Sequence, residues 1–224
     1  MYNNYIVEKI KGRLVFDIGS NRGTFSRSYT KAGAKVIAVE PIKFLIDQNT
    51  ENYMNVVVEN MCISDHDGYV SFCCSKKDPS MSSCCPEWRQ THRKAKGKLM
   101  EVKCNTLDFL INKYGVPAYI KIDVEGYENV VLKTLKTAAD MISIEYTVGY
   151  LINFTECMDI FKKLGYRTFV MAERINQKKD EIRFYFKSVD ECIRHFKEHP
   201  SITSRGDLLA ILDDMDISVL DSKW

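Results

Sequence analysis

The apolar positions of this chain fall into short blocks separated by glycine turns and amphipathic stretches, and that rhythm predicts its elements. Leu14-Val15-Phe16-Asp17-Ile18 reads as a buried strand that runs into a turn built on Gly19 and Gly23. Thr24 to Ala32 then carries helical spacing and stops at Gly33. Val36 to Val39 predicts a second strand, Ile42 to Asn52 a helix, and Asn55 to Ile63 a third, largely buried strand. Thr106 to Tyr114 predicts a helix stopped by Gly115, with Pro117 beyond it. Ala118 to Val124 and Met141 to Tyr146 follow as the fourth and fifth strands, and the helix between them turns Val131, Leu132 and Leu135 inward. Phe154 to Leu164 is a helix closed by Gly165, and Arg167 to Ala172 with Glu181 to Phe186 form a last hairpin. Alternation of this kind predicts an α/β fold with a mostly parallel, seven-stranded sheet and helices on both faces.

Three stretches depart from the rhythm. Residues 1–13 form a short helix or arm, with Ile6, Val7 and Ile10 at helical spacing. Tyr69 to Cys73 and Leu99 to Cys104 alternate like a small antiparallel extension. Between them, residues 74–98 show no clear period over a length that favours a lid or substrate loop. The tail from Val189 mixes a helical pattern with the acidic run Asp213-Asp214-Met215-Asp216, and no role is assigned to it.

Length and composition add bounds. At 224 residues, 45% hydrophobic and 28% charged, the chain fits one globular domain. A net charge of +2 says nothing about a polyanionic partner. The first residues lack the pattern of a secretion signal, and no run approaches the ~18 apolar residues of a membrane helix, so a cytoplasmic protein without a membrane partner is expected. In that setting the eight cysteines read as reduced thiols, and the sequon Asn153-Phe154-Thr155 would go unused. Cys73-Cys74 and Cys84-Cys85 are poorly spaced for zinc. The 74–98 loop sets Lys76, Lys77, Arg89, Arg93, Lys94, Lys96 and Lys98 against only Asp78 and Glu87. With His92 and Trp88 among them, it would close over a sugar or anion and stack the indole on a ring, or it would simply be a solvated loop.

The glycine turn after the first strand is the leading candidate for chemistry. Such a junction aims backbone N–H groups and a helix N-terminus at one point, and two glycines let a ligand approach the backbone. Dinucleotide binding asks for G-x-G-x-x-G, but the second and third positions here are Asn21 and Thr24. An NAD-dependent oxidoreductase is therefore a distant reading. Glu40, 21 positions after Gly19 at the end of the second strand, suits the two hydroxyls of a ribose. A nucleoside without a pyrophosphate points to S-adenosylmethionine.

The D-x-G-x-N-x-G turn at Asp17 to Gly23, the strand end Val39-Glu40-Pro41, and Lys121-Ile122-Asp123-Val124-Glu125-Gly126-Tyr127-Glu128 together resemble the FkbM family of S-adenosylmethionine-dependent methyltransferases, over about residues 14 to 150. The resemblance implies a Rossmann-like class I methyltransferase fold and O-methylation of a hydroxyl, most plausibly on a sugar or glycan. It implies a cofactor site at Asp17, Gly19, Ser20, Asn21, Gly23, Glu40, Pro41 and Asp123. Ser64 and Asp65, in the loop after the third strand, would border the adenine, although Asp65 and Asp67 are equally explained as turn formers. Catalytic candidates are Asp123, Glu125 and Glu145, with His92 if the loop closes. Asp17, Glu40, Asp123 and Glu145 all fall near the carboxyl ends of strands, where open parallel sheets bind their ligands.

The expected step is in-line attack of a substrate oxygen on the sulfonium methyl, with alignment contributing ~7–11 kcal/mol. A divalent cation at Asp123, Glu125 or Glu145 is compatible with these acids, but no ligand spacing demands one. The other readings are methylation of RNA, with the basic loop on phosphates, and a non-catalytic module that keeps the nucleoside as a structural ligand.

Overall fold

The computed structural model describes residues 3–147, 150–174, 181–198 and 205–213. The chain begins with α1 (Asn3–Ile10), β1 (Leu14–Ile18), α2 (Thr24–Lys31), β2 (Lys35–Val39), α3 (Lys43–Gln48) and β3 (Val56–Glu59). A second, smaller sheet is built from β4 (Cys62–Ile63), β5 (Gly68–Ser75) and β6 (Gly97–Asn105), with α4 (Pro86–Thr91) between the last two. The chain then forms α5 (Leu107–Tyr114), β7 (Tyr119–Ile122), α6 (Glu128–Leu132), β8 (Met141–Thr147), α7 (Leu151–Leu164), β9 (Thr168–Arg174), β10 (Glu181–Phe186), α8 (Val189–Glu198) and β11 (Arg205–Ile211).

The main sheet runs β10-β9-β11-β8-β7-β1-β2-β3. Strands β3, β2, β1, β7 and β8 are parallel neighbours, whereas β11 pairs antiparallel with both β8 and β9. The sheet thus has eight strands rather than seven. The additional one is β11, from the tail that carried no strand signal of its own beside the helical pattern. The remainder of the acidic run, Asp214 to Asp216, lies outside the described residues. The order reverses at β1, which lies between β2 and β7, and this places a ligand crevice beyond the carboxyl ends of those three strands.

Two predicted elements are divided. The helix expected over 42–52 stops at Gln48, because Asn49 leaves helical dihedrals and its side chain donates to Leu45 O at 2.8 Å. A short 3₁₀ turn, Thr50–Tyr53, follows. The strand expected over 55–63 ends at Glu59, where Asn60 Nδ2 donates to the carbonyls of Glu40 and Pro41 at 2.8 and 3.1 Å. The chain then crosses to the small sheet as β4, parallel to β6. Strand β3 is an edge strand and only half-buried.

Residues 74–98 are more ordered than an open loop. They hold α4 and two 3₁₀ turns, and they bury Met81, Cys84, Cys85, Ala95 and Trp88, the last only 1% exposed. The core on one face of the main sheet gathers Phe16, Ile120, Ile142 and Phe169 with Leu110 of α5 and Phe161 of α7. Tyr5 and Ile10 of α1 pack with Val15 and Tyr119 on the other. All eight cysteines are unpaired thiols.

Candidate active site

The turn between β1 and α2 spends four of its backbone donors internally. Gly19 and Ser20 N–H both donate to Val39 O at 3.0 Å, Gly23 N–H to Ser20 O at 2.8 Å, and Asn21 N–H to Glu40 Oε2 at 2.7 Å. Three of these bonds tie the turn to the end of β2. Gly19 has φ +78°, and a Cβ there would stand 2.0 Å from Asp123 O, so this glycine lets β1 and β7 end side by side. Gly23 makes room for Tyr53, whose hydroxyl donates to Asn21 O at 2.6 Å and meets Ser20 Oγ at 3.0 Å. Tyr53 was not among the sequence candidates; its signal was no stronger than that of any other tyrosine.

Glu40 is 4% exposed. Its Oε1 accepts from Ile42 N–H at 2.8 Å and its Oε2 from Asn21, which leaves each oxygen one further lone pair. Burial pushes its pKa up to about 7, against the pull of those two bonds. Asp17 is fully buried beneath the turn, with Ser26 Oγ donating to Oδ2 at 2.5 Å and no hydrogen-bond partner at Oδ1 among the described residues. Burial raises its pKa, and Lys121 opposes that rise.

A cavity open to solvent lies over these groups. Asn21, Glu40, Pro41, Asp123 and Glu125 line one part of it, and Met61, Ile63, Phe72 and Tyr127 another. Pro79, Ser80, Ser82 and Cys84 of the insertion close it. Among the described residues, no lysine or arginine is in the lining. Ser64 and Asp65 are not in the lining either: Ser64 is buried against Tyr127 Oη at 3.1 Å, and Asp65 is exposed and paired with His66 at 2.8 Å. Glu40, for which no cationic partner is found among the described residues, beside an apolar slot and near the acids Asp123 and Glu125, forms a donor set that fits a cationic nucleoside such as S-adenosylmethionine.

The loop after β7 brings the catalytic candidates together. Asp123 Oδ2 pairs with Lys121 Nζ at 2.9 Å; burial works against the lysine's charge, but Asp123 and Asp17 hold its pKa above the usual value. Glu125 has a left-handed φ of +57°. That conformation is held on several sides. Ser83 Oγ donates to Glu125 O at 2.7 Å, Asn153 Nδ2 to Gly126 O at 2.8 Å, and the buried Glu128 Oε1 accepts from the N–H groups of Val124 and Gly126 at 3.1 and 3.4 Å. The last acid of the signature therefore braces the loop, a role its position at the start of α6 only partly suggested. Gly126 lies against the Trp88 ring, 3.2 Å from where its Cβ would be.

Carboxyl oxygens of Asp123, Glu125 and Glu145 lie within 4.8 Å of one another. Arg205 Nη2 donates to Glu125 Oε2 at 3.0 Å and to Glu145 Oε2 at 3.1 Å. Burial, then repulsion among the neighbouring acids, raises the pKa of both glutamates, and Arg205 opposes the rise. The sequence carried no signal for Arg205, which arrives on β11 from 60 residues beyond Glu145.

A second, narrow pocket lies on the far side of the loop, lined by Trp88, Gly126, Glu145, Tyr150 and Asn153 among others. It shares Thr147, Tyr150 and Asn153 with a surface groove that also takes in Glu87, Thr91, His92, Leu151 and Ile152. Trp88 is not available to a ligand ring: His92 stacks on it at 3.7 Å and the Arg205 guanidinium lies 5.4 Å from its centre. His92 lines the groove, with its pKa lowered by burial.

No curated protein shows significant sequence similarity to the chain. Among solved structures, the precorrin-6y C5,15-methyltransferase of Geobacter metallireducens is similar at 11% identity, over 93% of this chain and 85% of that one, with a TM-score of 0.47. The precorrin 8w decarboxylase of Methanobacterium thermoautotrophicum is similar at 10% identity, over 92% and 85%, with a TM-score of 0.46. The ribosomal protein L11 methylase of Lactobacillus delbrueckii is similar at 10% identity, over 90% and 72%, with a TM-score of 0.42. Such values bear on no substrate. The model of the methyltransferase FkbM domain matches residues 17–168, more than half of the chain and all of the glycine turn, Glu40, the loop after β7 and Glu145. By that match the protein belongs to the FkbM family of S-adenosylmethionine-dependent methyltransferases.

Proposed function

We propose that the protein transfers a methyl group from S-adenosylmethionine to a hydroxyl oxygen of a sugar or glycan. The observation that carries this reading is the wall between the two cavities, where Glu125 faces the first, Glu145 faces the second, and Arg205 holds both. A hydroxyl nucleophile must shed its proton as it attacks, and a carboxylate within hydrogen-bond reach takes it. When bound, S-adenosylmethionine supplies an electrophilic methyl group on a sulfonium. Asn21, Glu40 and Pro41 would receive its ribose, Asp123 with the buried Asp17 would balance its charge, and Met61, Ile63, Phe72 and Tyr127 would enclose its base. In this arrangement the slot of Phe72 and Tyr127 does the work first expected of Ser64 and Asp65. Glu145 or Glu125 would then accept the proton of an acceptor entering through the groove.

The groove supports a sugar over RNA. Lys76, Lys77, Arg93, Lys94, Lys96 and Lys98 are exposed, but among the described residues no lysine or arginine lines the groove or either cavity, and Arg205 in the wall is already engaged by Glu125 and Glu145, which disfavours phosphate binding there. Tyr150 and His92 beside Glu87 and Asn153 suit a ring with one apolar face and hydroxyls at its edge. Unpaired thiols throughout suit a reducing, cytoplasmic setting.

Calorimetric titration with S-adenosylmethionine, S-adenosylhomocysteine and NAD tests the cofactor. Labelled-methyl transfer to a panel of neutral glycosides, set beside RNA across a salt series, tests the acceptor. Transfer to glycosides with little salt dependence is expected; transfer to RNA alone, falling steeply with salt, would replace the sugar reading. Tight cofactor binding with no transfer to either class would favour the non-catalytic module.

A further inference from the structure

Arg205 lies beyond residue 168, outside the segment that the family model matches, and no motif announces it. Yet its Nη2 bridges the two glutamates of the wall, at 3.0 and 3.1 Å, in a cluster where three carboxylates come within 4.8 Å of one another. Carboxylates at that mutual distance are the donor set a hard divalent cation uses. Ionised together, they cannot share a buried site unless a positive charge stands among them. Every element packed here adds to the demand: Glu128 from α6, Asp207 from β11 and Asp123 from the end of β7 all act on Glu145, and Lys121 is already paired with Asp123. His92, a further basic group nearby, is held toward its neutral form by burial.

We propose that Arg205 is a positioning residue and the built-in cation of this site, holding Glu125 and Glu145 in the place where a divalent metal would otherwise bridge them. A guanidinium suits the task, because it stays charged at all working pH values and offers its donors in a fixed plane. Its seat is shaped as well as charged: β11 is registered on β8 with Arg205 opposite Thr147, and the guanidinium lies over the Trp88 ring. The consequence for catalysis rests on the methyl-transfer reading; the consequence for metal binding does not.

The test is manganese binding to the full chain, followed by electron paramagnetic resonance and calorimetry, in wild type, Arg205→Lys, Arg205→Met and the double variant Arg205→Met/Glu145→Gln. Wild type and Arg205→Lys should bind no manganese at the cluster. Arg205→Met should gain one site with a Kd below about 1 mM, at least about tenfold tighter than wild type, and the double variant should lose it. S-adenosylhomocysteine titration of each protein reports folding and the cofactor reading separately: failure in wild type would end the methyl-transfer reading and leave the manganese result standing. A folded Arg205→Met protein that gains no manganese overturns the proposal. If Arg205→Met does not fold, wild type against Glu145→Gln decides: stoichiometric manganese in wild type that disappears in Glu145→Gln overturns it, and no manganese in either upholds it.

Discussion

Replacing Glu40 by glutamine tests the cofactor cavity through protons. The carboxylate is buried, and burial lifts its pKa from 4.5 in the unfolded chain to about 7. Folding therefore favours the neutral form, and the stability present below pH 4.5 declines as pH rises through 7, by about 3 kcal/mol over the whole span. A ribose donates two hydroxyls, so its partner must be the ionised form, and binding should release a proton. With a pKa of about 7 the group is roughly one-tenth ionised at pH 6 and nine-tenths at pH 8. S-adenosylhomocysteine should then bind wild type about tenfold more tightly at pH 8 than at pH 6. Glutamine cannot ionise, and its amide N–H₂ must face the N–H of Asn21 or Ile42, which leaves a donor unsatisfied at a cost of about 1–3 kcal/mol. Glu40→Gln should therefore melt earlier, bind more than about tenfold more weakly, and lose most of the rise between pH 6 and 8. Calorimetry in two buffers of different ionisation enthalpy counts the proton directly. Wild-type affinity with an unchanged pH slope would remove Glu40 from the ribose.

Three further perturbations follow from the same geometry. Gly19→Ala places a methyl 2.0 Å from Asp123 O at a positive φ, so β1 and β7 must part; a loss above about 3 kcal/mol in denaturant unfolding is expected, and an unchanged midpoint would contradict the close approach. Trp88→Ala removes the anchor of the 74–98 insertion at about 3–5 kcal/mol, and limited proteolysis should cut within that segment faster than in wild type; equal rates would show the insertion to be held elsewhere. Asp123→Asn leaves Lys121 with Asp17 nearby, so the fold and S-adenosylhomocysteine binding should survive while methyl transfer falls about a hundredfold; wild-type turnover would remove Asp123 from the methyl site.

Much of the fold was legible because its signals are local. The strands β1, β2, β7 and β8 are apolar runs whose length and flanking glycines speak for themselves, and Gly33, Gly115 and Gly165 mark helix ends as expected. Where one side chain redirected the backbone, the pattern misled: Asn49 and Asn60 broke a helix and a strand by hydrogen bonds to carbonyls that periodicity does not contain. Trp88, read either as a platform for a sugar or as part of a solvated loop, is core, because its partners His92 and Arg205 reach it only in the folded chain. The glycine turn lies where the sequence put it, between β1 and α2, and the amides of Gly19, Ser20 and Asn21 bond to Val39 and Glu40, partners that no local pattern announces.

The sequence alone determined the α/β class and the family, since each depends on residue types at short, fixed spacings. It also grouped Asp17, Glu40, Asp123 and Glu145 at strand ends, because a parallel sheet brings all such ends to one edge. Only the tertiary structure decided what those acids face. It set Glu125 and Glu145 on opposite sides of one wall, gave Glu128 the task of bracing the loop, and inserted β11 between β8 and β9 so that Arg205 could bridge the pair. The physical reason is that a buried carboxylate's charge and orientation depend on partners chosen by packing, and the partner here lies 80 residues from Glu125 along the chain.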